Sequence, residues 1–239
     1  MSESAALPPV QDNRPGVPWG VREVVFVALA SVVWPVGSIV ALYASPWAER
    51  LADPGALIGL LELPLLIPVV WIVFGRHRAG PGALGLRRFP PRALAFGVAL
   101  LIGVYHLNCY YSLCLLALSQ APMAETALAL GGASSPLLVF VGAAIVAPFT
   151  EEILFRGFIF PGLIGRLGRV RAAVVSAGLF ALAHLHPLTF PPVFALGLAL
   201  AFLYDRFRSI WPCVIVHALT NGCAVTVGLL LAGSGVTLP

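Results

Sequence analysis

Apolar residues fall in seven runs along this 239-residue chain, and polar or Arg-bearing segments separate them. A helix needs about 20 mainly apolar residues to cross a bilayer. The pattern predicts such helices near Val24–Ala44, Ala56–Gly75, Ala93–Leu118, Leu137–Phe160 and Trp211–Leu231, with shorter ones at Ala172–Leu185 and Val193–Tyr204. The two short runs read as tilted, re-entrant or lengthened by their flanks. No internal repeat is visible, and the paired broken segments of many transporters are not evident.

Composition fits this picture. Charged residues make up 10% of the chain and hydrophobic ones 59%, against about 25% charged in soluble domains. The expected fold class is all-α, a polytopic transmembrane bundle of about seven spanning or partly spanning helices. Residues 1–20, with Pro8, Pro9, Pro15 and Pro18, read as a disordered cytoplasmic tail, and 21–239 as one membrane domain. No basic stretch precedes a short apolar core with a cleavage site, so the first run is expected to remain as an anchor.

All 14 basic residues are Arg. Arg14 and Arg22 precede the first run, Arg76, Arg78, Arg87, Arg88 and Arg92 follow the second, Arg166, Arg169 and Arg171 the fourth, and Arg206 and Arg208 the sixth. The alternate loops carry only Arg50. The positive-inside rule then predicts a cytoplasmic N-terminus and an outer C-terminus. A net charge of +4 placed this way accounts for itself without nucleic acid as a partner. Cys109, Cys114, Cys213 and Cys223 lack C-x-x-C spacing and read as buried free thiols rather than a disulfide or metal framework.

Against this background one segment is anomalous. Glu151, Glu152 and Arg156 stand inside the fourth run, where each charge costs about 2.5–3.5 kcal/mol on insertion scales. Glu152 and Arg156 are four apart and can pair on one helical face. Glu151 points about 100° away and keeps no such partner. A carboxylate taken from water without a counter-ion is a usable general base near neutral pH. The bland alternative is a salt-bridged helix contact. Phe180 and His184 share a face of the fifth run, and His217 and Asn221 share one of the last. Two aimed donors such as His217 and Asn221 suit a tetrahedral oxyanion, although polar side chains also glue membrane helices together. At 1.5 Å per residue Glu151, His184, His217 and Asn221 all lie between mid-membrane and the cytoplasmic face, so they can meet. Glu62, near Pro64 and Pro68 in the second run, either lines the same cavity or relieves a kink.

The ordered set Glu-Glu-x-x-x-Arg, Phe-x-x-x-His and His-x-x-x-Asn, one per apolar helix, resembles the CPBP family. These are the CAAX-protease and bacteriocin-processing ("Abi") membrane endopeptidases. The resemblance covers about Ala127–Leu230, with Ser209-Ile210-Trp211-Pro212 ahead of the third motif, and marks 127–231 as the catalytic half. It implies an intramembrane endopeptidase acting on a membrane-tethered protein or peptide. Glu151 would activate water with His184, Glu152 and Arg156 would order the site beside Phe180, and His217 and Asn221 would form the oxyanion hole. No cofactor is expected. Glu151, His184 and His217 remain an alternative zinc set by residue type, although H-E-x-x-H is absent. A bacterial inner membrane is the expected location. A transporter using Glu62, Glu151 and Glu152 as ion sites, or a non-catalytic membrane scaffold, are the competing classes.

Overall fold

The computed structural model describes residues 16–45, 57, 60–118 and 135–234. Every regular element in them is helical. In chain order they are α1 (Val21–Tyr43), α2 (63–76), α3 (Arg92–Ala117), α4 (Pro136–Leu167), α5 (Arg169–Ala183), α6 (Phe190–Phe207) and α7 (Trp211–Ser234). Short 3₁₀ turns at Pro81–Leu84 and Pro187–Thr189 join them. Five of the seven, all but α2 and α5 as described, are long and apolar enough to cross a bilayer. The protein is an all-α polytopic membrane bundle. Its outer faces agree: Leu29, Val32, Val33 and Val40 of α1 are all more than 60% exposed, as lipid contact requires.

α4 is the axial helix. Half of its most apolar window is buried inside the protein, against 11% for α1. It extends past the expected end at Phe160 to Leu167, about 48 Å of rise, its interior Pro161 taken up by the π-helical turns before it. Proline chemistry also corrects the sixth run. α6 starts at Phe190 rather than Val193, with prolines in its first turn, and with the preceding 3₁₀ turn forms a 21-residue span.

The helix ends that carry Arg gather on one side of the bundle. Arg76 lies 3.8 Å from Glu23, and Arg169 and Arg208 reach Asp205 at 3.2 and 3.7 Å. Ser209 donates to the Arg87 carbonyl, and the Ile210 amide to that of Gly85. Residues 1–15 of the expected tail lie outside the described residues. Its last part is packed: Trp19 is 3% exposed, stacks on Phe158 at 5.0 Å and donates its indole N–H to the Phe158 carbonyl. The thiols also differ from expectation. All four are free, but only Cys213 is buried, and Cys109, Cys114 and Cys223 are exposed on outer faces, where lipid suits an apolar thiol as well as a core does.

Candidate active site

The site grows from an irregularity in α4. Gly142–Val146 and Glu152–Ile159 are wound as π-helix, with a turn of α-helix, Ala147–Glu151, between them. Each π stretch is followed by a proline, Pro148 or Pro161. A proline inside a helix has no N–H for the carbonyl four residues back, and π-bulges recur at functional sites because they release backbone groups and re-aim side chains. Both stretches have carbonyls taken by side chains from other helices. Asn221 Nδ2 donates to the Ala143 carbonyl at 2.9 Å, and Ser176 Oγ to that of Phe155 at 3.2 Å.

Glu152 and Arg156 form the expected pair. Arg156 Nη1 donates to Glu152 Oε1 at 2.8 Å, and the two side chains are 0% and 1% exposed. Arg156 Nη2 also donates to the Gly197 carbonyl at 3.1 Å. Gly197 lets α6 pack closely on α5, since a Cβ there would lie 3.0–3.2 Å from Ala177 and Phe180. The guanidinium stands 4.5 Å over the Phe180 ring, a cation–π contact that desolvation strengthens.

His217 bridges the two carboxylates. Its Nδ1 is 2.9 Å from Glu152 Oε1 and its Nε2 is 3.5 Å from Glu151 Oε2. Glu152, held by Arg156, is an acceptor, so Nδ1 carries a hydrogen. Nε2 is then the ring nitrogen that faces Glu151. Glu151 is less enclosed than its neighbour, 15% exposed, and its Oε2 has no hydrogen-bond partner. Thr150, fully buried with an unpartnered hydroxyl, precedes it.

His184, at the C-cap of α5, sits with its Nδ1 2.9 Å from the Phe180 carbonyl. A carbonyl only accepts, so this hydrogen bond assigns the proton to Nδ1 and leaves Nε2 with a lone pair. Phe180 organises the group. Its ring meets His184 at 5.0 Å, His217 at 5.5 Å and Phe155 at 5.2 Å, all edge to face. Glu151, Glu152, Arg156, Phe180, His184 and His217 thus stand in one linked cluster. Asn221 lies one turn beyond His217, with one amide N–H on Ala143 and the second free of that bond.

Among the described residues no three His, Cys, Asp or Glu side chains are grouped as metal ligands, and both His217 nitrogens face carboxylates. Sequence reasoning did not find the Gly197 and Ala143 carbonyls or Thr150. The prolines after each π stretch were the available signal for the freed backbone.

A model of the family described as type II CAAX prenyl endopeptidase Rce1-like matches residues 133–223. The match holds every residue of the cluster and falls within the stretch that carried the motif resemblance. The chain is also 34% identical over 97 residues to the putative membrane peptidase YdiL of Bacillus subtilis (strain 168), covering 39% of this chain and 38% of that protein. It is 32% identical over 101 residues to the membrane-embedded CAAX protease MroQ of Staphylococcus aureus (strain USA300), covering 40% of each. The chain thus spans about two fifths of the length of these curated relatives. No solved structure matches it.

Proposed function

We propose that this protein is an intramembrane endopeptidase that hydrolyses a peptide bond in a membrane-tethered protein or peptide. The observation that carries the reading is the contact of Glu151 with His217 Nε2, beside a fully buried Glu152–Arg156 pair, inside the Rce1-like segment. A purely structural ion pair needs Glu152 and Arg156 alone. It has no use for a second carboxylate at the same depth.

In the proposed reaction Glu151 takes a proton from water as the water oxygen attacks the carbonyl carbon. His184 Nε2, its tautomer fixed by the Phe180 carbonyl, holds the other water proton by a hydrogen bond. The oxyanion accepts from the free N–H of Asn221 and from His217 when Nε2 is protonated. Glu152 supports that imidazolium through Nδ1, as a buried carboxylate does in a catalytic triad. The intermediate then collapses, the C–N bond breaks, and the Glu151 proton leaves with the amine. No step draws on a metal ion. The Arg-rich side of the bundle faces the cytoplasm of a bacterial inner membrane, and the substrate enters from the lipid phase.

Glu151→Gln and His184→Ala should each abolish cleavage in proteoliposomes while the variants still insert. Normal turnover by either purified variant removes that residue from the catalytic set. Ion flux in proteoliposomes without any cleavage would favour the transporter class.

A further inference from the structure

Glu62 stands at the start of α2, where Leu63–Leu65 form a 3₁₀ turn around Pro64. It occupies the N-cap position, yet its side chain makes no capping hydrogen bond. The turn packs against the Ala147–Glu151 segment of α4 and against α1. Glu62 Oε2 and Glu151 Oε2 are both buried without a hydrogen-bond partner, on segments that pack against each other. The other charged groups on these elements are engaged elsewhere or lie at the helix end. Glu152 and Arg156 hold each other, Glu23 of α1 is met by Arg76 and His77, and Arg22 is at the Arg-rich side. Among the described residues no cation forms an ion pair with Glu62.

Two carboxyl groups brought together away from water share one proton, which turns repulsion into a strong hydrogen bond. A kinked first turn that packs the start of α2 on the Glu151 segment does more than relieve a proline break. We propose that Glu62 is a positioning residue for the hydrolysis: its carboxyl group donates a hydrogen bond to the Glu151 carboxylate and fixes that carboxylate towards the attacking water. The inference rests on the protease reading for its function, but the carboxyl pair itself does not.

Two measurements on purified protein in proteoliposomes test it. The first is the infrared carbonyl band of a protonated carboxylic acid, which needs no turnover. The wild type should show it, and Glu62→Gln and Glu151→Gln should each lose it. The second is cleavage of a quenched fluorogenic peptide joined to a transmembrane helix, built on a terminus that disappears in Glu151→Gln membranes. Glu62→Leu should lower kcat by about 10²-fold, the cost of a misplaced reacting group, with KM unchanged. Glu62→Gln, which keeps an N–H donor, should recover most of that turnover. A wild type without the band, or a band unchanged in Glu62→Gln, overturns the pair even where the wild type cleaves. Wild-type kcat in Glu62→Leu with only a lower melting temperature makes Glu62 a structural residue and overturns the positioning role. A wild type that keeps the band and cleaves no peptide overturns the protease reading and leaves the carboxyl pair established.

Discussion

Arg156→Met removes the cation at the centre of the buried cluster while keeping an unbranched apolar side chain in its place. In the wild type the guanidinium is 2.8 Å from Glu152 Oε1. At an effective dielectric constant of about 20 that attraction is about 6 kcal/mol, and desolvation of the two ions offsets much of it. The variant keeps the desolvation of Glu152 and loses the attraction, so the cost is that of breaking a buried pair, about 3–5 kcal/mol. For a chain of this size each kcal/mol moves the melting temperature by about 2–4 °C, which gives a fall of about 6–20 °C. Cys213 provides the assay. Its thiol is fully buried against the Leu200 and Ser209 carbonyls. With the exposed Cys109, Cys114 and Cys223 changed to Ala, reaction of Cys213 with a thiol dye reports unfolding. The double variant Glu152→Gln/Arg156→Met should melt above Arg156→Met alone, because it leaves no unpaired charge and keeps an amide oxygen for His217 Nδ1. A single variant within about 2 °C of wild type, or a double variant no more stable than the single, refutes the reasoning that the pair's charges hold this core.

Other consequences are as specific. Asn221→Ala should lower kcat by about 10²–10³-fold with little change in KM if the free amide N–H meets the oxyanion; an effect on KM alone would assign Asn221 to substrate binding. Gly157→Ala should destabilise the bundle, since its Cβ would lie 2.9 Å from the Leu84 carbonyl oxygen, a backbone atom that cannot swing away; an unchanged melting temperature would show that the Pro81–Leu84 turn is free to move. Purified enzyme treated with chelator should keep its turnover, and a loss restored by Zn²⁺ would overturn the metal-free mechanism.

The residues differ in how far the sequence revealed them. The helical pairs were legible because they are local. Glu152 and Arg156 are four apart, as are Phe180 and His184, and both pairs touch. The apolar runs located the seven helices of the described residues, five of them long enough to cross a bilayer. What sequence spacing could not express is how one helix meets another. The hydrogen bond from His217 to Glu152 joins residues 65 positions apart. The sequence reading assigned His217 to the oxyanion hole and did not anticipate its place between two carboxylates. Asn221 likewise spends one N–H on a carbonyl that only the π winding of α4 makes available. The Pro-rich start read as a tail, yet Trp19 is drawn into the core because Gly162 leaves room beside α1.

If Glu151 activates water for peptide hydrolysis in the membrane, its loss must silence cleavage there. New protein termini are compared in native membranes carrying wild type or Glu151→Gln at equal expression. Termini present with the wild type and absent with Glu151→Gln are the predicted result, and they would name the substrate as well. An identical set of termini in both membranes would contradict the account.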